Sequence, residues 1–318
     1  MSVAISIVIT TYNRAHLLLP RAIQSVLAQT CGDFELILVD DGSTDATGDL
    51  AGRWADRRIR WSRLEHGGVS RARNHGVEIA TGEWVAFLDD DNEWRPTYVE
   101  RQLAHASTRP DADVVYCVGE LYGADGTMLG YRPETFPTDV FAAVVAGWSP
   151  LVSATIIRRS LLEAVGGYET ALESRVDTDL WLRLSSLTPF AGHRERLLVR
   201  HQHDGARLSL DPAVSARSGL ELDRRWRRQV IARCGARAHR RFFRWSMCSS
   251  MNLAPENQQR AAAAHAARRL VTRLPWSATA LPYPLLLCAI GPQRYRRLRA
   301  GYGRLRHRFA IGGSERES

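Results

Sequence analysis

Three consecutive aspartates, Asp89, Asp90 and Asp91, are the residues of this chain with the clearest chemical potential. They follow five apolar residues, 84–88, and this pattern predicts a strand buried on both faces of a parallel sheet. In an open α/β sheet the carboxyl ends of the strands face the ligand crevice. Neighbouring carboxylates repel one another, and their oxygens suit a hard cation such as Mg²⁺ or Mn²⁺. The alternative is a solvated acidic turn, which gives little reason for three adjacent charges.

Two more predicted strands also end in polar residues. A β-branched apolar run covers residues 3–11 and leads into Tyr12, while residues 34–39 lead into Asp40 and Asp41. Residues 43–45 offer caps for a following helix, but capping requires neither aspartate at the strand end. We therefore expect ligand contacts at these ends as well.

Helical patterns alternate with these strands. They cover residues 17–29, a second stretch that follows from residues 66–74 and ends near Ala80, and residues 96–107. Strands and helices that alternate with short loops predict an α/β fold with a doubly wound, mostly parallel sheet.

A glycine pair, Gly67 and Gly68, precedes the second of these helices. Glycines before a helix can cradle phosphate, although two glycines alone are a weak signal. Arg71 and Arg73 follow, and they could contact a diphosphate or pair with the surrounding acids.

Four segments occur in an order that resembles the family 2 glycosyltransferases with a GT-A fold. They are residues 8–14 (VITTYNR), 38–45 (LVDDGSTD), 68–74 (GVSRARN) and 87–92 (FLDDDN). The resemblance extends over residues 1–205. It implies an inverting enzyme of the hexosyltransferase type that uses a nucleotide-sugar donor and a divalent metal.

The resemblance also implies roles for individual residues. The base pocket would be lined by Thr10, Tyr12 and Asp41. The ribose would lie near Asp89 and Asp90.

The diphosphate and its metal have candidate contacts too. By position in the family motif, Asp91 would hold Mg²⁺ or Mn²⁺, and Arg71 is a candidate contact of the donor phosphates. His203 follows a predicted strand at residues 197–200 and is a candidate phosphate or metal contact, although a single histidine can also be a plain surface residue.

Residues 177–183 resemble the start of the helix that presents the catalytic base in this family. Leucines at helical spacing place Asp177 in the first turn; they are Leu180, Leu184 and Leu187. The resemblance makes Asp177 the general base, and the alternative is a helix N-cap. The family commonly has Glu immediately before this Asp, whereas this chain has Val176.

The net charge of +9 is divided unevenly along the chain. Residues 1–215 carry a net charge of −8 and residues 216–318 carry +17, and every Lys-or-Arg position is Arg. We therefore expect a GT-A domain at 1–212 and a basic region at 213–318. Helical patterns in this region predict helices at residues 214–234, 236–253 and 256–274. Aromatic and leucine side chains at helical spacing in residues 292–318, flanked by arginines, could lie on an anionic membrane surface or pack on the protein itself. Nucleic acid is a less favoured partner, because no binding module is recognised.

The sequence also limits the cellular location. It has no apolar run of about 18 residues and no signal-peptide pattern, so we expect a cytoplasmic protein, peripheral to the inner face of the cell membrane if the basic region binds lipid. The five cysteines form no C-x-x-C pair, which argues against a zinc site or a disulfide framework.

These observations predict sugar transfer to a saccharide or lipid-linked acceptor, in the synthesis of cell-surface polysaccharide, glycolipid or another glycoconjugate. Two alternatives remain. One is a nucleotide-sugar-binding scaffold without transfer, supported by Val176 in place of Glu. The other is a metal-dependent nucleotidyltransferase, which would release pyrophosphate rather than a nucleoside diphosphate.

Overall fold

The computed structural model describes residues 3–14, 18–133, 135–201 and 212–248. Residue contacts divide the chain into two compact units, Met1–Gly205 and Ala206–Ser318. The predicted domain boundary at residue 212 stays a prediction. His203, the expected helix at 256–274 and the aromatic stripe of 292–318 lie outside the described residues.

The first unit begins with a parallel sheet. Its strands, in the spatial order β3-β2-β1-β4, are β1 (Ile5–Thr11), β2 (Phe34–Asp40), β3 (Ile59–Arg63) and β4 (Trp84–Asp89). In the register of this sheet, Thr10 lies between Val39 of β2 and Asp89 of β4. The carboxyl ends of β1, β2 and β4 therefore meet at one edge, as the sequence predicts.

Helices pack on both faces of the parallel strands. Helix α1 (Leu18–Leu27) follows β1 and buries one side, formed by Leu19, Ala22, Ile23 and Val26. Helix α2 (Val69–Glu78) lies directly on β1, because a Cβ atom on Gly76 would come within 2.4 Å of the Val8 side chain. This close approach sets how α2 sits on the sheet.

Five more strands complete a nine-stranded sheet within the described residues. They are β5 (Asn92–Trp94), β6 (Val114–Tyr122), β7 (Met128–Arg132), β8 (Thr155–Arg158) and β9 (Phe190–His201). Strand β8 runs antiparallel between β4 and β6, whereas β9 runs parallel to β6. The α/β class and the doubly wound, mostly parallel core are confirmed, and the antiparallel strands extend that core.

Strand β9 differs from its prediction. It has 12 residues, whereas the sequence predicts a short strand at 197–200. Its first half contains His193, Arg194 and Glu195, which hide the apolar pattern of a strand. Two of these polar groups have partners on helix α3 (Tyr98–Thr108): the His193 ring lies 3.0 Å from the Gln102 amide oxygen, and Glu195 pairs with Arg101.

Three shorter helices follow, α4 (Val140–Val145), α5 (Arg159–Ala164) and α6 (Val176–Leu184). The first turn of α6 contains Asp177, and Leu180 and Leu184 are fully buried. Leu187 lies beyond the end of α6 and is 64% exposed, so its expected burial is wrong.

The described part of the second unit is helical. Helix α7 (Pro212–Cys248) is interrupted at Gly235, whose φ of 83° is not helical. The sequence predicts this break between helices at 214–234 and 236–253. Across the break, the His239 ring nitrogen Nε2 lies 2.6 Å from Asp223 Oδ1. None of the helices in the described residues is long and apolar enough to cross a bilayer.

Gly82, two residues before β4, lies where the sheet is tightly packed. A Cβ atom on Gly82 would lie 2.5 Å from the Ser6 backbone nitrogen and 2.7 Å from the Ile5 carbonyl carbon. Because backbone atoms of β1 cannot give way, we expect Gly82→Ala to lower the free energy of unfolding by about 1–3 kcal/mol in urea denaturation.

Gly32→Ala is the matched control, because nothing lies within 4 Å of a Cβ atom at Gly32. We expect this variant to stay within about 1 kcal/mol of the wild type. Equal denaturation midpoints for the two variants would contradict the packing described for Gly82.

Candidate active site

Asp41 lies just after β2 and is held by the loop that precedes α2. Its Oδ1 accepts the Gly67 N–H at 2.9 Å, and its Oδ2 accepts the Gly68 N–H at 2.8 Å. The His66 ring nitrogen Nδ1 lies 2.9 Å from the same Oδ2. The sequence makes the N–H groups of Gly67 and Gly68 candidate phosphate contacts. In the structure they are hydrogen-bonded to the Asp41 carboxylate instead.

Tyr12 lies at the end of β1, close to Asp41. Its side chain is 41% exposed, and the His66 ring stacks on it with ring centroids 4.1 Å apart. The next residue, Asn13, accepts the Thr44 N–H at 2.8 Å and donates its own N–H to Ser43 Oγ at 2.9 Å. These bonds join the loops after β1 and β2, so Tyr12 and Asp41 lie close together, with Thr10 half-buried in the strand beside them. Their role in a base pocket stays a prediction.

The three aspartates after β4 have different surroundings. Asp89 is 41% exposed and pairs with Arg73 at 2.8 Å. Asp90 is largely buried and accepts the Thr11 hydroxyl at 2.8 Å. Burial raises the pKa of Asp90 to about 7, although the Thr11 hydrogen bond and the Arg14 charge act in the opposite direction. Asp91 is half-buried. The three aspartates therefore differ in exposure and in hydrogen-bond partners, and they do not act as one uniform cluster of carboxylates.

Ser153 holds the backbone of the acidic turn. Its hydroxyl oxygen accepts the Asp89 N–H at 3.0 Å and the Asn92 side-chain amide at 3.1 Å. Its carbonyl oxygen accepts the Trp94 ring N–H at 2.6 Å. The turn before β8 therefore fixes the position in which the aspartates leave β4.

Arg73 joins the two ends of the site. One guanidinium nitrogen lies 3.0 Å from Asp177 Oδ1, and the other lies 2.8 Å from Asp89 Oδ1. The Arg73 side chain is only 8% exposed, and its guanidinium lies over the Tyr168 ring at 4.9 Å. Burial opposes the charge, but the electrostatic effects of Tyr168, Asp177 and Asp89 together raise the pKa of Arg73.

Asp177 is the second residue of α6 and faces this arginine. The N-cap position belongs to Arg175, a residue with a left-handed φ of 60°, so the capping alternative for Asp177 is wrong. Partial removal from water raises the pKa of Asp177, Arg73 counteracts the rise, and the Asp89 charge adds to it. The Asp177 side chain is still 44% exposed, so solvent reaches a carboxylate that takes up a proton more readily than usual.

A hydrogen-bonded turn at residues 166–168 connects α2 to α6. The Asn74 side chain donates to the Tyr168 carbonyl at 2.8 Å and accepts the Tyr168 N–H at 2.7 Å. From the other side, Arg183 of α6 donates to the Gly167 carbonyl at 2.6 Å and pairs with Asp179 at 2.8 Å. This turn positions the ring on which Arg73 lies.

Arg71 and Arg73 differ in exposure and in their contacts. Arg71 is exposed, and its guanidinium lies 3.4 Å from the Glu65 carbonyl oxygen, so it does not join the acids. Its role at the donor phosphates stays a prediction. Arg73 is the arginine that joins the acids, a choice between Arg71 and Arg73 that the sequence alone leaves open. The available signal was its position on the buried face of α2, three and four residues before Gly76 and Val77.

The described residues offer limited ligands for a metal. No group of three or more His, Cys, Asp or Glu side chains that could hold an ion occurs among them. Asp89 and Asp90 bind Arg73 and Thr11. Asp91 is the carboxylate that the resemblance to the family motif assigns to the metal. Mg²⁺ is often held by one or two carboxylates together with substrate phosphates, and the residues present fit that mode.

Comparison with known proteins gives a family match for part of the chain. The family model described as "Glycosyl transferase family 2" matches residues 6–162. This segment is similar to glycosyltransferase family 2. This match includes the ends of β1, β2 and β4, whereas Asp177 lies beyond it.

Individual proteins similar to this chain extend the comparison. An uncharacterized glycosyltransferase of Rickettsia typhi is 28% identical over 211 residues, which cover 63% of this chain and 64% of the relative. The PGL/p-HBAD biosynthesis glycosyltransferase of Mycobacterium bovis is 43% identical over 115 residues, 35% of this chain and 44% of the relative. The matched regions therefore span less than two thirds of the length of these relatives.

The fold is also shared with a solved structure. S. aureus TarS, residues 1–349, crystallised in complex with UDP-GlcNAc, superposes with a TM-score of 0.58 at 17% identity. The match covers 92% of each chain. The α/β architecture of this chain is thus that of the GT-A fold.

The role of Arg73 can be tested on the pKa of Asp177. Arg73→Met removes the positive charge that favours the ionised carboxylate and leaves Asp89 as a negative neighbour. We therefore expect the pKa of Asp177 to rise further, so that this carboxyl group keeps its proton to higher pH. Titration of ¹³C-labelled aspartate signals by NMR, with Asp177→Asn for assignment, measures the change.

The control is Arg109→Gln, which removes an exposed ion pair with Asp111 at the opposite edge of the sheet. It should leave the titration of Asp177 unchanged. An unchanged titration in Arg73→Met would show that the Arg73–Asp177 contact has no electrostatic effect.

Proposed function

We propose that the chain transfers a sugar from a nucleoside-diphosphate sugar to an acceptor hydroxyl with inversion of configuration. The observation that carries this proposal is the pairing of Asp177 with Arg73 beside the acidic end of β4. The UDP-GlcNAc complex of TarS and the biosynthetic name of the M. bovis relative support a nucleotide-sugar donor and a glycoconjugate product.

The donor would lie along the carboxyl edge of the parallel strands. Tyr12 and Asp41 would contact the base, and Asp89 and Asp90 would lie near the ribose. Asp91 would hold Mg²⁺ or Mn²⁺ at the diphosphate, and the bound metal would neutralise charge that develops on the leaving group. Arg71, exposed next to this edge, would contact the phosphates.

Asp177 would act as the general base. Arg73 holds Oδ1, so Oδ2 is the oxygen that would take the proton from the acceptor hydroxyl. A raised pKa makes a carboxylate a stronger base, and this suits proton removal at the moment of attack. Attack on the face of the sugar opposite the leaving group in a single displacement gives inversion.

The position before Asp177 bears on the alternative of a scaffold without transfer. Val176 is buried and supplies no carboxylate. Asp177 is nonetheless oriented by a charged partner, Arg73, which lies 104 positions earlier in the chain. The absence of Glu at 176 therefore does not leave the base unsupported, and transfer is the better proposal.

The acceptor would be a saccharide or a lipid-linked sugar, in the synthesis of polysaccharide or glycolipid. If the basic residues of 292–318 bind anionic lipid, the enzyme would work in the cytoplasm at the inner face of the cell membrane. A metal-dependent nucleotidyltransferase would instead release pyrophosphate, so assaying the released product separates the two reactions.

The base assignment predicts the behaviour of Asp177→Asn. This variant keeps the size of the side chain but cannot accept the proton, so we expect transfer to fall by about 10²–10⁴-fold. The affinity for the donor, measured by calorimetry, should change little. Asp33→Asn, an exposed aspartate before β2 at the opposite edge of the sheet, is the control. Full transfer by Asp177→Asn would remove this residue from the base role.

The metal assignment predicts a different pattern for Asp91→Ala. We expect Mn²⁺ to tighten donor binding by the wild type and to lose most of this effect in the variant, because one of its carboxylate ligands is missing. Calorimetric titrations with Mn²⁺ and with a chelator measure the difference. The assignment fails if donor affinity is independent of metal and unchanged by the substitution.

A further inference from the structure

The side chain of His66 makes two contacts that a nucleobase could make. Its ring is stacked on Tyr12, with an interplanar angle of 23°. Its Nδ1 lies 2.9 Å from Asp41 Oδ2 and 3.0 Å from the Asp41 carbonyl oxygen. Because both neighbours are acceptors, Nδ1 carries the hydrogen and donates it. A flat ring therefore stacks on Tyr12 and presents an N–H group to Asp41.

The backbone of His66 is fixed, whereas its side chain is accessible. Gly42 has a φ of 77°, and a Cβ atom there would lie 2.7 Å from the His66 backbone nitrogen. The next two N–H groups, of Gly67 and Gly68, bind the Asp41 carboxylate. The His66 side chain, by contrast, is 55% exposed. A rotation of this side chain alone would uncover Tyr12 and Asp41.

The same space cannot hold His66 and a base. Ring centroids 4.1 Å apart leave no room for a third ring between them. The face of Tyr12 that His66 covers is also the one from which a ring reaches Asp41, as the 2.9 Å contact demonstrates. A base that stacks on this face of Tyr12 and reaches Asp41 must therefore displace the imidazole.

We propose that His66 occupies the nucleobase position and lowers the affinity of the donor site by competing with the base. This inference rests on the proposed nucleotide-sugar donor. The incoming base takes over the stack on Tyr12 and the place of the His66 N–H at Asp41, while the imidazole rotates towards solvent.

The chemistry of the displaced contact defines the class of base. Asp41 keeps the N–H groups of Gly67 and Gly68, and its Oδ2 regains room for one donor when His66 leaves. Uracil, thymine and guanine carry a ring N–H that fills this place. Adenine and cytosine offer only an exocyclic amino N–H on this edge, and the unprotonated ring nitrogen beside it is repelled by a carboxylate. The site therefore favours the first group of bases over the second.

Calorimetric titration of the full chain with nucleoside diphosphates in the presence of Mn²⁺ tests this proposal. We expect the wild type to bind uridine, thymidine or guanosine diphosphate more tightly than the adenosine and cytidine compounds. His66→Ala should bind the preferred nucleotide about tenfold more tightly, because an aromatic contact and a hydrogen bond no longer compete with it.

Glu65→Ala is the matched control. Glu65 is exposed in the same loop, and the backbone carbonyl near Arg71 is kept. This variant should bind with wild-type affinity. If His66→Ala binds the nucleotide with unchanged or weaker affinity, His66 is not a competitor and the inference is overturned, while the proposed donor class stands. If no nucleoside diphosphate binds the wild type, the proposed function itself fails.

A spectroscopic measurement distinguishes displacement from a change in folding. The ring current of Tyr12 shifts the imidazole C–H signals of His66, and His66→Ala assigns them by their loss. Addition of the preferred nucleotide should move these signals towards the positions of a solvent-exposed histidine. Signals that stay in place while the nucleotide binds would show that the ring remains stacked and would overturn the proposal.

Discussion

The candidate site depends on one buried cation, the guanidinium of Arg73. A guanidinium stays charged at any accessible pH, so its burial requires anionic partners with good geometry. Asp89 at the end of β4 and Asp177 in the first turn of α6 supply them, from opposite sides. Each carboxylate on its own would be a negative group at a crowded edge. Together with Arg73 they form a bridge that brings a strand end and a distant helix to one place.

The bridge in turn requires that α2 be placed accurately. Gly76 lets the helix lie against Val8 of β1, and Asn74 fixes the turn that carries Tyr168. Gly167 in that turn has a φ of 66°, and a Cβ atom there would lie 2.4 Å from the Asn74 side-chain oxygen. Two glycines, Gly76 and Gly167, and the Asn74 side-chain amide therefore determine the position of Arg73. None of them needs to touch a substrate to affect the chemistry.

Much of this arrangement could be predicted from the sequence, and the rest depends on contacts between distant residues. Apolar runs that end in polar residues predict β1, β2 and β4, because burial on both faces leaves a simple signal. Asp177 was placed in a first helical turn for the same kind of reason. Its partner could not be predicted in this way, since Arg71 and Arg73 differ only in which face of α2 they occupy. Strand β9 was largely missed because charged residues with partners on α3 interrupt its apolar pattern.

The two principal carboxylates of the site are held by different means, and this difference separates their roles. Asp41 is bound by two backbone N–H groups and is almost fully buried, so it is a fixed acceptor that also orders the loop before α2. Asp177 has one charged partner, remains partly exposed and has a raised pKa. Fixed acceptors suit recognition, because their geometry does not change on binding. A carboxylate that takes up a proton readily suits proton transfer in a reaction. Under the proposed function, Asp41 beside β2 therefore recognises the donor, and Asp177 in α6 takes up the proton.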